Sequence, residues 1–379
     1  MSNPIFSLSR FFAVLWKEFI QMRRDRMTLA MMVAMPIIQL IMFGYAINAN
    51  PKHLPTAVLD GDKTTYTQAF LTGLKNTDYF YLNYYPKTEK AADALLRAGE
   101  VSFIVNIPPN FTRDLIAGHN PQILITGDAT DSMSLANAFP AALGMLNTVF
   151  DPLLRGNLAH LQQKPLAMKL IEHAKYNPEQ ITRYTIVPGL MGVVLTMTLV
   201  MITSLAITRE IERGTMESLL ATPVRPLEVM LGKIIPYIFV GYVQVCIILL
   251  FSVYLFGVPM DGSVFALFLY VLPFIAANLA VGLMFSSVAR NQLQAVQMAI
   301  FFLLPSILLS GFMFPFYGMP KWAQYIGDVL PMTHFMRVVR GIMLKGDTLG
   351  EAWVHVWPIL IFFVGVIIVS IKEYRQTLD

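Results

Sequence analysis

The sequence is poor in charge and almost without cysteine. Of its 379 residues only 14% are Asp, Glu, Lys or Arg, against about 25% in an average soluble domain. Its single cysteine, Cys246, excludes an internal disulfide and any Cys-x-x-Cys redox or metal motif. The six histidines show no metal-ligand spacing, and there is no His-Glu-x-x-His or Gly-x-Ser-x-Gly motif. A phosphate-binding Gly-x-x-x-x-Gly-Lys-Ser/Thr loop is also missing, since Gly232-Lys233 lacks both the upstream glycine and the hydroxyl residue. These absences point to a chain that is not itself an enzyme, with no catalytic residue, no metal and no bound cofactor.

The shortage of charge is local. Six stretches run for 20 residues or more without Asp, Glu, Lys or Arg: between Arg26 and Lys52, Arg183 and Arg209, Lys233 and Asp261, Asp261 and Arg290, Arg290 and Lys321, and Glu351 and Lys372. A helix crosses the hydrocarbon core of a bilayer with about 20 apolar residues. The expected spans are therefore 28–48, 184–207, 234–257, 263–288, 292–312 and 352–371. From Lys52 to Arg183 the balance is that of a soluble domain, with 12 basic and 12 acidic residues. The expected fold is an α-helical polytopic membrane protein with six spans and an α/β (α+β) domain, residues 49–183, between spans 1 and 2.

Within that domain, strands are expected at Thr56–Asp60, Tyr79–Tyr85, Val101–Ile107 and Gln122–Thr126. Helices are expected at Thr64–Asn76, Thr88–Ala98, Asn110–Ala117 and 132–163. Asp60-Gly61-Asp62 and Asp128-Ala-Thr-Asp131 read as turn residues rather than a calcium loop, because the full set of oxygen ligands is missing. Residues 1–27 form an amphipathic interface helix. Leu8, Phe11, Phe12, Leu15, Trp16 and Phe19 lie on one face, and Arg10, Lys17, Gln21 and Arg24 on another. The long apolar run near the N-terminus reads as a retained anchor rather than a cleaved signal.

The basic residues ahead of span 1 place the N-terminus in the cytoplasm. Six spans return the tail, 372–379, to the same side and leave 49–183 outside. The outer segment 313–351 opposes this rule, since it carries Lys321, Arg337, Arg340 and Lys345. Broken by Pro315, Pro320 and Pro331, it reads as short re-entrant or interface-lying helices.

The interiors of the spans hold no Asp, Glu, Lys or Arg on which a proton or sodium coupling could run, with His355 near a span end a further polar candidate. Gln39, Gln244, Asn278 and Gln294 read first as interhelical hydrogen-bonding groups. If this chain moves a solute, its energy comes from another protein. The place to receive it is the segment 208–232 between spans 2 and 3, which is dense in both signs of charge. Gly214 suits a break there, Thr215 a helix cap, and Pro223 and Pro226 a stop and a restart.

Arg209-Glu-Ile-Glu-Arg-Gly-Thr-Met-Glu217 with Pro223 resembles the signature of type-2 ABC exporter permeases. So do Leu309-Ser-Gly-Phe-Met-Phe-Pro315 through Met319-Pro320 with Pro331-Met-Thr-His334, and Val105-Asn-Ile-Pro-Pro-Asn-Phe111. The likeness covers essentially the whole chain and is nearest to Gram-negative drug or lipid efflux members with a large extracytoplasmic domain. It implies a multi-pass subunit of the bacterial inner membrane, with domain 49–183 periplasmic. It also implies a second permease (a copy or a sister chain), separate ATP-binding cassette ATPase subunits that carry ATP and magnesium, and a periplasmic membrane-fusion protein. Arg209, Glu210, Glu212, Arg213, Gly214, Thr215 and Glu217 would dock the ATPase subunit. Pro305, Ser310, Gly311 and Pro315 would lie on the substrate path or its gate, and spans 1, 2 and 5 would line the path and the contact between permeases. The competing readings are a membrane-anchored sensor or binding protein, which lacks a cytoplasmic output domain, and an ion-coupled carrier, which lacks intramembrane charges.

Overall fold

The computed structural model describes residues 7–24, 26–47, 50–129, 132–146, 149–150, 152–154, 175–212, 214 and 226–373. The chain divides into two compact units: Met1–Ile47 with Lys175–Asp379, and Asn48–Ala174.

The first unit is helical. Its elements are α1 (Leu8–Arg24) and α2 (Arg26–Ala46), followed after the second unit by α7 (Thr182–Ser204), α8 (Thr208–Glu212), α9 (Pro226–Tyr254), α10 (Val264–Val288) and α11 (Gln292–Leu309). A 3-10 turn (Phe316–Gly318), α12 (Lys321–Val329), α13 (Pro331–Arg340), a π-helical turn (Gly341–Lys345) and α14 (Leu349–Glu373) complete it. Among the described residues, five helices are long and apolar enough to cross a membrane: α7 running into α8, α9, α10, α11 and α14. Within α2 the described apolar helical stretch is Met32–Ala46.

Five of the expected spans, 184–207, 234–257, 263–288, 292–312 and 352–371, agree with these five helices to within a turn, with one exception. α9 begins two turns early because Pro226 fits a first helical position and Glu228 favours a helix N-terminus. Charge stops an apolar run without stopping a helix. The segment 313–351 breaks into short helices at Pro315, Pro320 and Pro331, where proline cannot continue the backbone ladder.

The core centres on α7, α10 and α13, where Phe274 and Phe335 stack with ring centroids 3.9 Å apart. α7 and α10 pack closely at Gly282. A Cβ there would lie 2.5 Å from the Val200 carbonyl oxygen and would also strike Thr203. Only glycine allows this approach, the small-residue packing of helices in lipid.

Four strands and four helices make up the described part of the second unit. They are β1 (Leu54–Asp60), α3 (Thr65–Asn76), β2 (Phe80–Tyr84), α4 (Glu89–Arg97), β3 (Phe103–Ile107), α5 (Phe111–Ile116), β4 (Leu124–Gly127) and α6 (Ser132–Leu146). The sheet order is β2-β1-β3-β4, with β1 parallel to both β2 and β3 and β4 antiparallel to β3. β3 is apolar but for Asn106, whose side chain reaches Glu89, because both faces of the strand are otherwise covered. Phe103, Val105 and Ile107 pack with Phe70 of α3 and Ala138 of α6, while Ile104 packs with Ala57 and Ala92 of α4. Asp60 accepts the N–H groups of Asp62 and Lys63. Asp62 accepts from Thr64 and from both the backbone and the side chain of Thr112. Partial burial works against the Asp62 charge, but these hydrogen bonds outweigh it and hold the carboxyl below its usual range. Both aspartates therefore act as turn residues. Asp131 and the expected helix beyond Leu146 lie outside the described residues, apart from 149–150 and 152–154.

Candidate functional site

One cluster of charged residues in the first unit sits at the end where α7 passes into α8. α8 is one turn and a half long, so local hydrogen bonding alone does not hold it in place. Three sets of contacts do.

The first is an ion cluster. Lys233 of α9 is 2% exposed, with its Nζ 3.0 Å from Glu18 Oε1 of α1 and 3.1 Å from Glu210 Oε1 of α8. Lys17 donates to the same Glu210 oxygen at 2.7 Å. Two lysines thus neutralise two carboxylates, which is the condition for burying charge at all. One turn away Arg10 grips Glu228, with Nη2 at 2.9 Å and Nε at 3.0 Å, and the Ser7 N–H adds a further bond at 2.7 Å. Glu228 is fully buried, and its hydrogen bond to Arg10, aided by its charge, raises the Arg10 pKa above the ordinary value.

The second contact is Ser286 of α10. Its Oγ accepts the N–H of Ile207 at 2.8 Å and of Thr208 at 3.2 Å. It satisfies the donors freed where α7 breaks, so a buried helix end is not left unpaired. The third is Glu212. Its carboxylate accepts the Gln292 backbone N–H at 2.8 Å and the Gln292 side-chain amide. Gln292 is the first residue of α11, so a negative charge sits at a helix N-terminus. These bonds hold the Glu212 carboxyl below its usual range. α8 is thereby tied to α1, α9, α10 and α11 at once.

The residues singled out by sequence separate accordingly. Glu210 is not on an open surface: it is 5% exposed and engaged by two lysines. Glu212 is exposed and bonded to α11, and Arg209 is half-buried. Gly214 turns the chain with a positive φ of 69°, with nothing within 4 Å of a Cβ placed there. Arg213, Thr215 and Glu217 lie outside the described residues.

At the opposite end the other group comes together where α11 stops. Pro305 lies within α11, and Ser310 caps its C-terminus while donating to the Ile307 carbonyl at 3.0 Å. Gly311 takes a positive φ of 81°, and Pro315 opens the 3-10 turn.

Sequence reading missed the partners of Glu210. Arg10 and Lys17 lie seven residues apart on the face of α1 away from the apolar stripe. In the structure they turn toward α9 and α8, while Leu8, Phe12 and Trp16 are the exposed residues, Trp16 at 69%. The usable signal was Lys233, a cation at the edge of a long apolar run, which requires a counter-charge once buried. The polar residues of the spans divide. Gln244 bridges three helices, accepting from Thr198 at 2.9 Å and donating to the Met32 carbonyl at 2.7 Å. Gln39 reaches Met197 Sδ at 3.0 Å. Asn278 instead bonds within its own helix, and Gln294 accepts from the Arg290 N–H just ahead of α11.

This arrangement is a clamp around a short helix between two long apolar ones. The family model for "ABC-2 family transporter protein" matches residues 26–372. The chain belongs to this family. It is 28% identical over 360 residues to "Probable multidrug ABC transporter permease YbhS" of Escherichia coli strain K12, covering 92% of each chain. It is 27% identical over 357 residues to "Probable multidrug ABC transporter permease YbhR" of the same organism, covering 93% of this chain and 94% of the relative. A third relative, "Inner membrane transport permease YhhJ" of Escherichia coli strain K12, is 29% identical over 295 residues, 77% of each chain. The ABC-2 chain described here is thus a multi-pass membrane protein similar to transporter permeases along nearly its full length.

Proposed function

We propose that this chain is the membrane-spanning subunit of an ATP-driven exporter, in which α8 and the residues after it receive the movement of a separate ATP-binding cassette subunit. The observation that carries this reading is the fastening of α8. A displacement of one short helix is passed to α1 through Lys17, to α9 through Lys233, to α10 through Ser286 and to α11 through Glu212. In this reading Glu210 transmits the push rather than touching the partner. Arg209, Arg213 and Glu217 are the docking residues, with Gly214 and Thr215 shaping the turn, and ATP and magnesium stay on the partner.

α2 is the first of six spans, continued beyond its apolar Met32–Ala46 stretch by the rest of the helix. Both termini are then cytoplasmic and residues 49–183 periplasmic, in a bacterial inner membrane. α1 lies in the inner interface, its Leu8, Phe12 and Trp16 toward lipid. A second permease completes the path, and a membrane-fusion protein receives the cargo. The cargo is amphipathic or hydrophobic, a drug or a lipid, which suits spans without interior charge and the names of the relatives.

The test is co-expression with the candidate ATPase subunit. Replacing Arg213 and Glu217 by Ala should abolish co-purification and ATP-dependent transport while the permease still inserts. Survival of both, unchanged, overturns the docking assignment.

A further inference from the structure

The segment 313–351 carries four basic residues on the side that the proposed topology makes outer, against the positive-inside tendency. Three of them have ordinary surroundings. Arg337 lies 3.4 Å from Asp328 and 4.6 Å above the Phe316 ring, Lys321 reaches Gln324 at 3.5 Å, and Lys345 is exposed. Arg340 differs. It is half-buried, and among the described residues no carboxylate lies within ion-pair reach of it.

Its guanidinium spans two backbone carbonyls instead. Nη1 donates to Gly311 at 3.1 Å and Nη2 to Thr185 at 3.4 Å. Thr185 is in the first turn of α7, and Gly311 follows the cap of α11. The positive φ of Gly311, 81°, turns the chain there, a conformation glycine adopts without strain. Arg340 itself is the last residue of α13, just before the π-helical turn, a kind of irregularity often found at functional places. The same three elements also meet at Gly189 of α7, where a Cβ would lie 2.6 Å from Phe312 and 2.8 Å from Met336. A fixed fork of donors can bridge carbonyls on two elements where an ammonium, a point donor, holds them less well.

We propose that Arg340 is a latch on the outer end of the path: it joins the start of α7 and the end of α11 to α13 while that end is closed, and releases both carbonyls when it opens. The inference rests on the permease reading above and makes Arg340 a positioning residue. Its bonds are suited to release. No buried counter-charge is stranded when they break, and water at the mouth can replace both acceptors.

Ser310, 3% exposed beside Gly311, reports on this knot, and Ser204, fully buried at the far end of α7, is its control. In detergent-purified full-length protein carrying Cys246→Ala, the labelling rates of Ser310→Cys and Ser204→Cys by an impermeant maleimide are compared with Arg340, R340Q and R340K. Loss of charge-assisted hydrogen bonds should speed labelling at position 310 by about tenfold or more in R340Q. R340K should fall between, and position 204 should not change. An unchanged rate at 310 overturns the latch. So does an equal rise at 204, which would mean general loosening. Should R340Q not give monodisperse protein, R340K is judged by the same two criteria. No ATPase subunit takes part, so failure here is distinct from failure of co-purification.

Discussion

The two ends of the helical unit hold their charges in opposite ways. At the α8 end charges meet charges: Lys233 and Lys17 against Glu18 and Glu210, Arg10 against Glu228. At the α13 end the most enclosed cation, Arg340, meets only carbonyl oxygens. Removing one member of a buried ion pair strands its partner, so the first arrangement is strongly held. A guanidinium on carbonyls can exchange its acceptors for water, so the second can open. The difference assigns tasks within the proposed transporter: the α8 end carries force, and the α13 end yields to it.

The contrast is most severely strained by Lys233→Ala. With Glu18 and Glu210 left without their shared cation, we expect a loss of about 3–5 kcal/mol, seen as a large drop in the unfolding temperature of the purified protein. A drop no larger than that of R340Q would erase the distinction between the ends. Ser286→Ala comes next. It leaves two buried N–H groups without their acceptor and should cost about 1–3 kcal/mol. Hydrogen exchange of the Ile207 and Thr208 amides should accelerate with it, and continued protection would show another acceptor.

Both predictions depend on contacts between residues far apart in the chain, and this marks what was legible in the sequence. The helices could be read because apolar runs and prolines are local signals, and the strands because β1 and β3 are short, mostly apolar segments bounded by turn residues. Ser310 and Gly311 were singled out only through the resemblance of Leu309–Pro315 to the permease motif, and their φ and capping geometry are not visible in that motif. The link from Lys233 to Glu18 was hidden because it joins residues 215 apart, and no periodicity reports a tertiary ion pair. Glu210 was read as a surface residue for the same reason: its motif shows that it is charged, not which way it faces. The two hydrogen bonds to Ser286 Oγ left no trace in the pattern at all.

Smaller effects sharpen the assignment of force. Glu212→Gln removes an exposed charge from the start of α11. Stability should hardly change, while transport per ATP falls, because the tie from α8 to α11 weakens. Equal transport would remove α11 from the route. The native contact has a pH dependence of known sign. The folded carboxyl titrates below its unfolded value, so its contribution is complete above the ordinary carboxylate pKa and is lost as pH falls through the lowered one. Asp62 follows the same rule in the second unit. Exchange of the α3 and α5 amides should quicken in acid, and more gently in Asp62→Asn, whose side chain can no longer lose its charge.

The central claim is that movement received at α8 reaches the α13 end. The most direct test labels Ser310→Cys, in the Cys246→Ala background, in the complex assembled with its ATPase subunit, with and without a non-hydrolysable ATP analogue. The account predicts that nucleotide changes the labelling rate when Glu212 and Lys233 are intact, and that the change is largely lost in Glu212→Gln. A rate indifferent to nucleotide in the intact, assembled complex would contradict it.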